Sequence, residues 1–149
     1  MKRYLPALLL LTILFTGCRK LLEAPEDKLE GRWRLAYVER QRLFNETTIQ
    51  TGYEGGSFYF YNNGQAEFVD GFGTMRGNWR IRYVSSGYYD ADGNYQSDGH
   101  QVFTLYLADF QNNQLLSWDF DHSYFNGRNR FTATYSSAGY NYRYVFHRE

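Results

Sequence analysis

From residue 31 onward, apolar and polar side chains alternate with a period of two, which predicts strands with one buried and one solvated face. The first run sets Trp33, Leu35 and Tyr37 against Arg32, Arg34 and Ala36. The clearest run sets Met75, Gly77, Trp79, Ile81 and Tyr83 against Arg76, Asn78, Arg80 and Arg82. Between them, Ser57–Tyr61 and Gln65–Asp70 read as strands joined by Asn62-Asn63-Gly64, residues that tolerate the positive φ of a tight hairpin. Further strands fit Gln101–Asp109, Gln114–Asp121, Arg128–Tyr135 and Tyr140–Arg148, separated by turns rich in Asn, Ser and Gly. The strand region shows no helical period and contains no proline.

An antiparallel meander of eight strands leaves two raw edges unless its first strand pairs with its last. Closure removes those edges and encloses room for side chains or one small ligand. The expected fold is therefore all-β, an eight-stranded antiparallel up-and-down barrel. Up-and-down order also sorts the connections. Trp33 and the segment Ser85–His100 belong at the closed end, and Gln41–Gly56 and Ala138 at the open mouth. A further strand within Leu43–Gln50 would invert every later assignment.

A different pattern precedes the strands. Lys2 and Arg3 head an apolar run from Leu5 to Phe15, and Thr16-Gly17 then leads into Cys18, the sole cysteine. A basic head, a short apolar run and small residues make a secretory signal with a processing site, too short to span a bilayer as a mature helix. Phe15-Thr16-Gly17-Cys18 resembles the bacterial lipobox. That resemblance implies cleavage before Cys18 and acylation of its thiol and new amino terminus, giving a membrane anchor to which each buried methylene adds about 0.8 kcal/mol. The expected organisation is a signal peptide over 1–17, a lipidated tether over 18–30 with a short helical turn around Asp27–Glu30, and one barrel domain over 31–149. The tether is charged and carries Pro25. Arg19 stands where inner-membrane retention is associated with Asp, so the expected location is the cell envelope, at the outer membrane.

Glu30-Gly31-Arg32-Trp33 resembles the Gly-x-Trp signature that opens lipocalins and the wider calycin group, and the layout is similar to lipocalin-like domains of Gram-negative lipoproteins. In that group a basic residue at the end of the last strand lies over the tryptophan. Arg148 is the match, since it is in phase with the inward set Tyr142, Tyr144 and Phe146; Arg143 is the lesser candidate. The pair would be a cation–π contact of about 0.5–2 kcal/mol. Its role would be structural.

Composition narrows the chemistry. Lys2 and Arg3 are the only charges lost with the signal, so the mature chain carries two more acids than bases. Nucleic-acid binders usually carry a basic face, and this balance provides none. With Cys18 acylated no thiol remains for a disulfide, so stability rests on packing, which an aromatic content of 20% makes feasible. Asp90, Asp92 and Asn94 space oxygen ligands as a calcium loop does. However, Tyr95 stands where an EF-hand needs glycine and Gln101 where it needs a bidentate Glu. A polar turn is the plainer account. His100, His122 and His147 lack metal-site spacing. Asp119 and Asp121, two apart on a strand, fit a solvated face better than an acid–base pair. Arg76, Arg80 and Arg82 form an exterior strip facing acids on neighbouring strands. No cofactor and no enzymatic activity are expected.

Two function classes remain. Leu35, Tyr37, Phe58, Phe60, Trp79, Ile81, Trp118 and Tyr144 are candidates to line a pocket for a small apolar or aromatic ligand. Alternatively these side chains fill the barrel, and exterior tyrosines (Tyr59, Tyr61, Tyr88, Tyr89, Tyr95) meet an envelope protein or glycan.

Overall fold

The computed structural model describes residues 24–149 apart from Phe44, so the signal and Cys18 lie outside the described residues. A short helix, α1 (Pro25–Leu29), leads into nine strands. These are β1 (Gly31–Arg42), β2 (Asn45–Ile49), β3 (Ser57–Phe60), β4 (Gln65–Val69), β5 (Thr74–Tyr89), β6 (Tyr95–Asp109), β7 (Gln114–Phe125), β8 (Arg130–Ser137) and β9 (Tyr140–Arg148). Every neighbouring pair is antiparallel, and β1 pairs with β9 from Trp33↔Arg148 to Gln41↔Asn141. The sheet is therefore a closed barrel, with β2 paired on one side alone among the described residues.

The ninth strand does not invert the up-and-down order. β2 pairs with the upper half of β1 (Val38↔Ile49 to Arg42↔Asn45), and β3 pairs with its lower end (Gly31↔Phe60 to Trp33↔Phe58). Both run against β1 along one flank, so they are two pieces of a single barrel strand, interrupted at 50–56. The barrel keeps eight staves, and the ends sort as the sequence implied. The segment expected as a loop over Ser85–His100 is corrected: β5 and β6 continue as a paired ribbon as far as Tyr89↔Tyr95.

A second correction concerns Tyr37. The β1–β9 register slips between Leu35 and Tyr37, where Ala36 is the extra residue of a β-bulge. The bulge reverses the alternation, so Trp33, Leu35 and Val38 are buried in the core. Tyr37 is moved to the outer face, opposite Val145, and its hydroxyl accepts from Arg130 Nη2 at 2.9 Å. It does not line the interior.

At the closed end the chain seals itself. Trp33 is fully buried and its Nε1 donates to the Leu29 carbonyl at 2.7 Å. The Arg148 guanidinium carbon stands 4.7 Å over the Trp33 ring centroid. That guanidinium also donates to the carbonyls of Glu30 at 2.9 Å, Arg128 at 3.2 Å and Lys28. Gly31 is what admits it. Its φ is +121°, and a Cβ there would lie 2.9 Å from Arg148 Nη1. Leu29 is fully buried and α1 packs here, so from Pro25 the chain belongs to the barrel's base, while residues 18–23 of the expected tether lie outside the described residues. Arg143 lies elsewhere, pairing with Glu39 and Glu46 across β9, β1 and β2.

Replacing Arg148 with Lys keeps the charge but loses the planar fork that serves several carbonyls at once. Chemical denaturation of Arg148→Lys is expected to show a loss of about 1–3 kcal/mol, with the fold retained.

Candidate functional site at the barrel mouth

The lower interior is filled by rings. Phe58, Phe60, Phe103, Phe131 and Phe146 form a circuit, each touching the next, with centroid separations of 5.2–6.3 Å. Of the residues expected to line a pocket, Leu35, Phe58, Phe60, Trp79 and Ile81 are part of this buried core. Only Trp118 and Tyr144 reach the mouth cluster. The lower interior is thus packed with side chains, and the irregular part of the barrel lies above Trp118.

The break between β2 and β3 supplies what sits above. Residues 50–56 cross the mouth and lower the Tyr53 ring edge-on against Phe68 at 5.2 Å and Trp118 at 5.3 Å. Glu54 clasps this segment, accepting from Thr51 N at 2.8 Å, Thr51 Oγ1 at 3.0 Å and Gly52 N at 3.0 Å. Burial works to raise the Glu54 pKa, but those donors outweigh it and hold the carboxyl below its ordinary value. Beneath Tyr53, Trp118 meets Tyr144 at 5.0 Å, and Tyr144 meets Phe120 at 4.9 Å. Tyr135 and Tyr142 stack in parallel at 4.7 Å beside them. Burial, reinforced by Tyr135, Tyr142 and the Glu54 carboxylate, pushes the Tyr144 hydroxyl well above its ordinary range.

Four tyrosines and one carboxylate beside tryptophan and phenylalanine make an amphipathic cluster. The rings pack against one another, with polar groups at the rim of the cluster. Sequence reasoning missed Tyr53 and Glu54 because their segment has no periodicity. Tyr135 and Tyr142 carried a signal, since both fall in the inward phase of β8 and β9.

The remaining candidates are used locally. Asp119 accepts from the Tyr106 hydroxyl at 2.6 Å and Asp121 from Ser136 N at 3.0 Å, both on the outer face. Asp90 Oδ1 accepts from the backbone N–H groups of Asp92 and Asn94 at the tip of the β5–β6 ribbon. Arg76 pairs with Glu67 at 2.9 Å. Among the described residues Arg80 and Arg82 form no ion pair, which corrects the expectation for the strip. His100 and His122, far apart in sequence, come together with ring centroids 4.2 Å apart. Among the described residues no three potential metal ligands gather at one place.

Compared with protein-family models, curated proteins and solved structures, the chain matches none of them.

Two pH responses follow from the site. Tyr144 and an unfolded tyrosine are both protonated below the ordinary value of 10.0, so its burial costs nothing there. Above it the unfolded chain ionises first, and stability falls as pH rises. Tyr144→Phe is expected to lessen that alkaline loss, measured as melting temperature from pH 9 to 12. For Glu54 the sign is opposite. Its clasp is fully present above the ordinary 4.5 and is lost as pH falls through the lower folded value. Trp fluorescence is expected to report Tyr53 leaving Trp118 on acidification, and Glu54→Gln, which has no carboxyl to titrate, to abolish that transition and leave the clasp weakened at every pH.

Proposed function

We propose that the protein is a non-enzymatic, lipid-anchored envelope protein that holds a small apolar or aromatic ligand at the mouth of its barrel, between Trp118, Tyr144 and the Tyr53 segment. The observation that carries this reading is the seat of Tyr53. In the mouth cluster it is the one ring supplied by an irregular segment, while its partners stand on barrel strands. A ring of similar shape could take its place without disturbing the ladder. Half-buried neighbours with hydroxyls at the rim suit a planar molecule with one or two polar groups. The lipocalin-like reading fits this arrangement, with the ligand nearer the entrance than a deep cup would put it. The anchor, the outer-membrane location and cleavage before Cys18 rest on the lipobox-like residues Phe15–Cys18.

A second reading has its own support. A packed lower interior and four well-exposed tyrosines at the far end, Tyr83, Tyr88, Tyr89 and Tyr95, favour a surface that meets another macromolecule.

Native mass spectrometry of the full chain, extracted in detergent from its own host, tests both parts of the main reading. A mass increment of acyl chains on Cys18 supports the anchor, and an unmodified cysteine rejects it. A co-purifying small molecule that is retained by Tyr53→Phe and lost with Trp118→Ala supports the mouth site. A ligand indifferent to Trp118, or none at any loading, sinks it.

A further inference from the structure

We propose that the β5–β6 ribbon joins two copies of this chain, with the free edge of β5 pairing antiparallel to itself across a two-fold axis at Ser86. This gives the second reading above a partner and is independent of the mouth site.

Hydrogen bonding leaves this edge open. β4 covers β5 only from Thr74 to Asn78, and β7 covers β6 only down to Gln101. Beyond those points β5 and β6 pair with each other alone, in unbroken register from Val84↔His100 to Tyr89↔Tyr95. Trp79 N donates to the Gly64 carbonyl at 2.8 Å, on the β4 side. Backbone groups alternate in direction along a strand, so Tyr83, Ser85, Gly87 and Tyr89 turn their N–H and C=O groups to that same side, where no strand lies among the described residues. A two-stranded ribbon is marginal in water, and an unpaired edge is a template for another strand.

The side chains on this edge complement their own reverse. With Ser86 on the axis, Tyr83 falls opposite Tyr89 of the second copy, Ser85 opposite Gly87, and Val84 opposite Tyr88. Arg82 falls opposite Asp90. These are aromatic, aromatic–aliphatic and opposite-charge cross-strand pairs, each of which stabilises antiparallel strands, and symmetry makes each of them twice. Arg82 has no ion-pair partner among the described residues, and the Asp90 carboxyl keeps its charge because Gln96, then Asn94 and Asp92, donate to it. The ribbon is stiffened for the purpose: the Tyr83 ring lies across Gly99 and the Tyr95 ring across Gly87, filling space that a Cβ would take.

The other edge of the ribbon does not offer this match. Tyr95–Gly99 on β6 contains Asp98 and no cation. A lipid surface is also a poorer fit, since Asp90, Asp92 and Asp98 gather acid around the exposed tyrosines.

Analytical ultracentrifugation of the protein in detergent and as the soluble domain over a range of concentrations is expected to show a monomer–dimer equilibrium. Arg82→Asp puts acid against acid and is expected to weaken it about tenfold. Ser85→Pro removes an N–H that faces the open side, leaving the β5–β6 ladder intact, and is expected to abolish the dimer at an unchanged monomer melting temperature. If Ser85→Pro unfolds the ribbon, Arg82→Asp still decides. A chain that stays monomeric throughout, or a dimer indifferent to Arg82→Asp, overturns the proposal. So does a monomer that sediments with phosphatidylcholine vesicles through Tyr88 and Tyr89. Ligand retention at the mouth is a separate readout and is not expected to change in either variant.

Discussion

Backbone hydrogen bonds between β1 and β9, from Trp33↔Arg148 up to Gln41↔Asn141, turn a meander into a tube. Without that ladder, β1 and β9 would each present unpaired N–H and C=O groups, and the phenylalanine circuit would lose one wall. Closure also fixes the ends of the chain against each other. It brings Arg148 over Trp33 and places α1 beneath both, so the base of the barrel is held by a cation–π contact, an indole hydrogen bond and carbonyls shared by one guanidinium. Each of these joins residues more than a hundred positions apart or locks the entry of the first strand.

The mouth is a consequence of two interruptions in the same region. The bulge at Ala36 lets β1 bend and exchanges Tyr37 for Val38 on the inner face. The break at 50–56 divides one stave into β2 and β3 and frees a segment to cross the opening. Regular pairing would have given a plain rim. Irregular backbone instead lowers Tyr53 onto Trp118, with Glu54 spending its carboxylate on the turn that holds it there. The base is held by a guanidinium shared among several carbonyls and the mouth by edge contacts of one ring on an irregular segment, so the mouth is the end expected to open at least cost.

Much of this barrel is legible in the sequence because strict alternation reports which face is buried. Met75 to Ile81 and Tyr142 to Phe146 keep the period, and their apolar phase is the inner side. Arg148 over Trp33 follows from the same phase once the ends are matched. Alternation fails where one residue is inserted, and Ala36 carries no feature that marks it as a bulge; hence the period points Tyr37 inward although it lies outside. It fails too over Ser85–His100, whose serines, glycines and aspartates read as a loop although they pair as a ribbon without burying a face. Residues 50–56 cross the mouth, and nothing in a string of Thr, Gly, Tyr and Glu shows that Tyr53 will find a tryptophan sixty-five positions away.

Amide hydrogen exchange of β1 and β9, followed residue by residue, tests closure most directly. In a sealed tube the N–H groups of Val38 to Arg40 and of Tyr142 to Phe146, which have a paired strand on each side, exchange only through global unfolding, at the rate of the β6–β7 centre. Fast exchange confined to alternate residues of these two strands would mean free edges, and the barrel account would be wrong.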